Sequence, residues 1–272
     1  MRPSPYSDLD RPPLSAAALR QALLVPGGLW TDLVVKEETG STNADVAAAA
    51  RDGAAEGLVV VAEAQTAGRG RFERRWQSPP RAGLTFSVLL RPRYIGHRRY
   101  GWLPLLAGVA VVETVRKLGA VDAVVKWPND LLIDERKCAG LLAESVHDGV
   151  VLGIGLNVTM RADELPVPDA TSLLLSGSAC TDRDPLLRGL LRALADWYRR
   201  WHDADGDPGP SGLAEAYRMH CGTLGREVRV ATPDGRDLAG VASDVDGAGR
   251  LVVTGPDGAT TPVAAGDVRH VR

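Results

Sequence analysis

Residues 65–78 read QTAGRGRFERRWQS, a polar run with four arginines, two glycines and a tryptophan. Guanidinium groups make forked hydrogen bonds to carboxylate or phosphate oxygens. Gly68 and Gly70 let the backbone approach a ligand closely. Trp76 offers a flat face on which an aromatic base can stack. Three other stretches hold polar groups in useful places. KWPND (126–130) gathers a lysine, a carboxamide and a carboxylate at the end of a β-branched run. DERKCAGLL places Lys137 just ahead of an apolar strand that carries Gly140. ETGSTN sets two hydroxyls and an amide at a helix start. Each stretch alone has a plainer reading: a solvated charged hairpin, an ordinary turn, a lysine at a strand rim and an N-cap.

The overall charge limits what the arginines bind. With 32 basic and 34 acidic residues the formal net charge is -2. That disfavours bulk attraction to nucleic acid or anionic lipid, so the target of the arginine run is small and local. No G-x-x-x-x-G-K-[ST], G-x-S-x-G or H-E-x-x-H occurs. GIGLNV has the first two glycines of a dinucleotide fingerprint, but it lacks the third and sits between strands. The five histidines are scattered, and the three cysteines form no C-x-x-C pair. Neither a protein-ligated metal nor a disulfide framework is indicated, and a reducing, cytoplasmic location fits best. The first 15 residues contain no apolar h-region. The run WLPLLAGVAVVETV is too short to cross a bilayer.

The elements that must position these groups follow from periodicity and turn signals. Residues 1–30 read as an N-terminal segment, partly disordered, with one short helix in SAAALRQALL capped by Ser15. WTDLVVKEET is a strand, and GSTNADVAAAARDGA is a helix stopped by Gly53. GLVVVAEAQT and GLTFSVLLRP are strands on either side of the arginine run. YGWLPLLAGVAVVETVRKLG is a core helix. Residues 122–158 read as four strands in a meander, broken at Pro-Asn-Asp, Asp-Glu-Arg and Asp-Gly. DPLLRGLLRALADWYRRWHDA is an amphipathic helix, followed after a Pro/Gly linker by a helix in SGLAEAYRMHC. From Gly222 the texture changes to short strands and Gly/Asp turns, as in a small β-barrel. The expected fold is α+β: a central mixed or antiparallel sheet with flanking helices over 31–221, and a small SH3-like barrel over 222–272.

The order of the motifs is more specific than any one of them. STN, then Gln65 with GRGRFERRW, then KWPND, then RKCAGLLAE, then GIGLNV resembles the biotin protein ligases over about residues 36–180. The resemblance implies a two-step reaction. Biotin and MgATP give biotinyl-5′-AMP and pyrophosphate, and a carrier lysine then displaces AMP. The first step brings a carboxylate to a triphosphate, and fixed cations in a water-poor site offset their repulsion. That explains concentrated arginines in a chain with no basic excess.

By resemblance, Ser41, Thr42, Asn43, Gln65, Arg69, Gly70, Arg71, Lys137 and Gly140 hold biotin. Arg69, Arg71, Arg74, Trp76, Lys126, Asn129 and Asn157 hold ATP, with Trp76 near adenine. Lys137 and Arg71 stabilise the charge that develops. Asp130 orients the incoming amine and takes its proton, and Cys138 is a packing residue. Mg2+ enters with ATP. The implied acceptor is a biotin carboxyl carrier domain of an acyl-CoA or pyruvate carboxylase, and no nucleic-acid partner, membrane or repressor activity is expected. The assembly is a monomer or a homodimer. A lipoate–protein ligase is the runner-up, but it lacks the GRGRxxRxW pattern. One departure bears on loop closure: Phe72 and Glu73 stand where the family pattern GRGRxGRxW has x and glycine.

Overall fold

The computed structural model describes residues 10–271 except 234 and 236, and the backbone alone at Glu73. The expectations for residues 1–9 and for the Glu73 side chain lie outside the described residues. A seven-stranded mixed sheet runs in the order β1-β2-β3-β7-β6-β5-β4. Its strands are β1 (Asp32–Lys36), β2 (Leu58–Ala62), β3 (Gly83–Leu90), β4 (Ala123–Lys126), β5 (Asp130–Ile133), β6 (Arg136–Val146) and β7 (Gly149–Asn157). Only the β1–β2 pair is parallel, and helix α2 (Thr42–Arg51) connects those two strands. The last four strands form the antiparallel meander that the turn signals indicated.

The two faces of this sheet do different work. Val59, Val61, Leu84, Phe86, Val88, Leu152, Ile154 and Leu156 are buried on one face. They pack in a single core with α3 (Trp102–Gly119), α4 (Arg183–Asp203), α5 (Leu213–His220) and α1 (Ala16–Leu23). Every second strand residue therefore drives folding by apolar burial. The alternate positions face the other way. There Val60, Leu89 and Val151 pack under Val46 and Ala50 of α2, and the rest of that face is left for the site.

The chain ahead of β1 is tied down by a buried ion pair. Glu63, one residue past β2, meets Arg183 at the start of α4, and both side chains are 5% exposed. The remaining valences are filled locally: Leu14 N donates to Glu63 Oε1 at 2.6 Å and Arg183 Nη2 donates to Pro12 O at 2.6 Å. Arg11 Nη2 donates to Thr159 O at 2.8 Å and its guanidinium also pairs with Glu164.

The C-terminal unit is a five-stranded antiparallel sheet in the order β11-β10-β9-β8-β12. Its strands are β8 (Glu227–Ala231), β9 (Asp237–Val245), β10 (Leu251–Thr254), β11 (Thr260–Val263) and β12 (Asp267–His270). It docks closely on the larger unit. Trp127 is buried and donates Nε1–H to Gly249 O at 3.1 Å. A Cβ on Gly101 would lie 2.3 Å from Ala248 O, so that position tolerates only glycine.

Removing one partner of a buried ion pair leaves an uncompensated charge, which costs about 3–5 kcal/mol. Arg183→Leu is therefore expected to destabilise the fold by about 3 kcal/mol or more, read as a lowered urea midpoint. A midpoint equal to that of the wild type would contradict the role given to the pair.

Candidate active site

The site face of the sheet is built from two cross-strand rows. Lys126, Asp130, Gly140, Gly155 and Thr85 are register partners across β4, β5, β6, β7 and β3. Ser87, Gly153 and Leu142 form the next row. Partners in a row share a face, and so do residues two apart on a strand. The spacing Gly153-Ile154-Gly155 thus turns Ile154 into the core and leaves bare backbone on the site face. The G-x-G of GIGLNV serves a strand surface, not a phosphate-binding turn.

Side chains occupy the room those glycines leave. A Cβ on Gly155 would lie 2.3 Å from the Trp76 ring, and one on Gly153 would lie 2.1 Å from Asn43 Oδ1. At Gly140 the nearest atoms would be Lys137 Cε and Trp76 Cζ3, each at 3.3 Å. Trp76, expected near adenine, lies against the β6–β7 glycines beside Lys137. Its buried Nε1–H has no partner among the described residues.

The arginine run is a hairpin over this face. Trp76 N donates to Gly68 O at 2.9 Å and Gly70 N to Arg74 O at 2.6 Å. Gly68 is packed so closely that a Cβ would meet Trp76 O at 2.5 Å and Gln65 Nε2 at 2.6 Å. The tip, Arg71–Glu73, is a 3-10 turn in which Phe72 takes φ 53°, ψ 44°. The left-handed residue is thus Phe72, one position before the glycine of the family pattern.

The cations of the hairpin meet those of the meander. Arg71 Nη1 donates to Asn129 Oδ1 at 3.2 Å, and Lys137 Nζ lies 2.6 Å from Asp130 Oδ1. KWPND, which contains a cis Trp127–Pro128 bond, therefore holds both cations through adjacent residues. Burial pulls the Arg71 guanidinium below its usual pKa, and Asp130 and Asp267 oppose that shift. Asn129 is itself fixed, because Nδ2 donates to Leu141 O at 2.9 Å. Arg74 pairs with Asp267 of the C-terminal unit at 2.7 Å, and that hydrogen bond raises its pKa. Burial pushes Asp267 up, but Arg74, Lys126 and Arg269 outweigh it and hold its carboxyl low. Lys126 thus stands close enough to be felt by the same carboxylate.

The STN segment is not spent on capping its helix. Ser41 is the N-cap of α2, yet its side chain makes no capping bond. Thr42 N donates to Gln65 Oε1 at 2.7 Å. Asn43 Nδ2 donates to Glu144 Oε2 at 2.6 Å, and Ser87 Oγ lies within 2.7 Å of both Thr42 Oγ1 and Asn43 Oδ1. Glu144 also pairs with Arg69 at 3.5 Å.

Most of the expected residues come together on one face. Asn157 is brought to the same face, but its amide is committed to Thr171 O at 2.9 Å. It anchors the segment that runs beside Lys137, where Lys137 N donates to Asp169 O and Thr171 N to Lys137 O, each at 2.8 Å. Ser87, Glu144, Gly153 and Gly155 were not among the expected site residues. A lone serine in an apolar strand and glycines at a spacing of two were the available signals. A cavity of about 750 Å³ opens between the two units beside Arg71 and Asn129.

The site is thus a cationic hairpin lying on a glycine-faced sheet. Residues 35–160 match the Biotin/lipoate A/B protein ligase family, and residues 223–271 match the Biotin protein ligase C terminal domain. The chain is 45% identical to the biotin--[acetyl-CoA-carboxylase] ligase of Mycobacterium tuberculosis, over 97% of this chain and 98% of that one. It is 31% identical to the bifunctional ligase/repressor BirA of Escherichia coli, over 78% of this chain and 66% of that one. A biotin protein ligase structure from Aquifex aeolicus, in complex with biotin and ATP, is similar with a TM-score of 0.74 and 26% identity. That likeness covers 89% of this chain and 100% of that one. The chain belongs to the biotin protein ligase family.

Cys138 lies in the core, where its thiol approaches the Asn157 backbone carbonyl at 3.5 Å. It is fully buried, and burial pushes its thiol up to about 12. Burial also raises Cys221, whereas Cys180 is partly exposed. Alkylation needs the thiolate. Iodoacetamide at pH 8 is expected to label Cys180 alone in the folded protein, and all three cysteines after unfolding, as read by mass spectrometry. Labelling of native Cys138 at the rate of Cys180 would contradict its assignment as a packing residue.

Proposed function

We propose that this protein activates biotin with ATP and transfers it to a lysine of a biotin carboxyl carrier domain. The observation that carries the reading is the convergence of Arg71 and Lys137 on Asn129 and Asp130, beside bare strand backbone. In the first step a biotin carboxylate oxygen attacks the α-phosphorus of ATP. A P–O bond forms, the bond to the pyrophosphate oxygen breaks, and pyrophosphate leaves with that electron pair. Lys137 and Arg71 bind the carboxylate and the α-phosphate oxygens together and offset their repulsion. The low-dielectric surroundings of Arg71 strengthen that effect. Arg69 and Gly70 line the same hairpin, and Arg74 and Lys126 meet the outer phosphates near Asp267. Asn129 holds Arg71 in place, and Trp76, packed on Gly140 and Gly155, walls the site beside Lys137.

In the second step the carrier amine attacks the carbonyl carbon of the mixed anhydride, and AMP leaves. A free lysine amine has a pKa of about 10.4 and must lose a proton to react near neutrality. Asp130 stands where the cations meet, so it orients the amine and accepts that proton. The arrangement requires no enzyme nucleophile.

We assign Mg2+ to the phosphates of the nucleotide. Among the described residues no three His, Cys, Asp or Glu side chains gather as a metal cage. Of the carboxylates in the site, Asp130 pairs with Lys137, Asp267 with Arg74 and Glu144 with Arg69. Such an ion supplies further positive charge to the triphosphate when bound. The acceptor we infer is a carrier domain of an acyl-CoA or pyruvate carboxylase, in the cytoplasm. No helix among the described residues is long and apolar enough to cross a membrane.

Biotin-dependent exchange of pyrophosphate into ATP, indifferent to lipoate, tests the activity. Lys137→Ala is expected to slow that exchange about a hundredfold or more in a protein that still folds. Asp130→Ala should slow single-turnover transfer from preformed biotinyl-5′-AMP at least as much as it slows adenylation. Wild-type exchange in folded Lys137→Ala would remove the lysine from the mechanism.

A further inference from the structure

The polar chain beneath the hairpin leaves little freedom in where its protons sit. Asn43 Nδ2 has two neighbours, Glu144 Oε2 at 2.6 Å and the Leu142 carbonyl at 3.4 Å. Both are acceptors, so the amide nitrogen must face them and Oδ1 must face Ser87. Oδ1 only accepts, and Ser87 has one proton. That proton lies on the 2.6 Å contact to Asn43. The 2.7 Å contact between Ser87 and Thr42 then needs a proton from Thr42. Thr42 has no second proton to give to Gln65 Oε1, 3.1 Å away. Gln65 Oε1 is satisfied by the Thr42 backbone N–H at 2.7 Å, which fixes the amide of Gln65 as well.

Two oxygens, Thr42 Oγ1 and Gln65 Oε1, are thus left 3.1 Å apart with no proton between them. Gln65 Nε2, lying against Gly68, keeps its donors. We propose that Ser87 and Glu144 are specificity-determining positioning residues: through Asn43 they fix Thr42 as an acceptor, so that the pocket selects a ligand ring bearing an N–H. The inference rests on the biotin reading and goes beyond it. A cyclic urea supplies an N–H for the two oxygens and a carbonyl for Gln65 Nε2. A dithiolane ring supplies neither and leaves buried polar groups unpaired, which is a strong basis for rejection. Glu144 acts at a distance. It touches no ligand in this scheme, but it decides which way the Asn43 amide points and hence the direction of every hydrogen bond up to Thr42.

The test measures biotin and lipoate binding by calorimetry, with steady-state adenylate formation alongside, on the full chain. Ser87→Ala and Glu144→Leu are each expected to raise the Kd and KM for biotin about tenfold or more. The loss should appear mainly in KM and Kd for biotin; a loss confined to kcat would assign Glu144 to its partner Arg69 and overturn the inference. Glu144→Gln should recover most of the affinity, since its carbonyl oxygen still accepts from Asn43. If Ser87→Ala fails to fold, the half-exposed Glu144 pair decides alone. The inference falls if folded Ser87→Ala or Glu144→Leu binds biotin like the wild type. It also falls if Glu144→Gln is as weak as Glu144→Leu. Wild-type protein that binds no biotin at all would instead overturn the functional reading, and this inference with it.

Discussion

The site depends on backbone left bare. At Gly140, Gly153 and Gly155 the sheet presents no side chains, and three groups fill the space: Lys137, Asn43 and the Trp76 ring. A single methyl at Gly155 would collide with the indole at 2.3 Å. Because strand residues alternate between faces, glycine at every second position strips one face and leaves the other intact. Ile154, between two of the glycines, stays in the core. Asn43, Trp76 and Lys137 thus pack directly on strand backbone without weakening the packing under it.

That division of labour explains why the helices sit where they do. α3 and α4 cover the apolar face and supply most of the helical residues buried there. On the other face α2 covers only the Val60, Leu89 and Val151 end. The hairpin closes the remainder with arginines, glycines and one indole. Its tip also reaches the C-terminal unit, since Arg71 approaches Gly266 O at 3.5 Å and Arg74 pairs with Asp267. The charges that would meet a triphosphate are held by carboxylates and carbonyls of two units. An incoming anion competes with those partners.

Much of this was legible in the sequence, and the reasons differ by element. The four-strand meander was readable because Pro-Asn-Asp, Asp-Glu-Arg and Asp-Gly mark its turns. The helix starting at Thr42 was readable from the hydroxyls before an alanine run. The convergence of GRGR with KWPND came from motif order, since no local rule brings Arg71 to Asn129, 58 residues away. GIGLNV contributes to the motif order, but the informative feature in its glycines is their period of two, which places both on one face of β7. The roles of Ser87 and Glu144 are not legible in the sequence because they lie in register: the β3–β7–β6 pairing brings both to Asn43. The strap from Arg11 to Glu164 and the Glu63–Arg183 pair are long-range contacts between unremarkable charges, and a single sequence carries no signal for them.

The central claim is that biotin and ATP bind where the cationic hairpin meets the edge of the glycine-faced strands. Hydrogen–deuterium exchange on the full chain tests it directly, with and without biotin plus ATP. The account predicts strong added protection of the amides in 68–76 and 152–156, larger than anywhere else in the protein. Ligand binding with no change in those two segments, and protection confined to another surface, would contradict it.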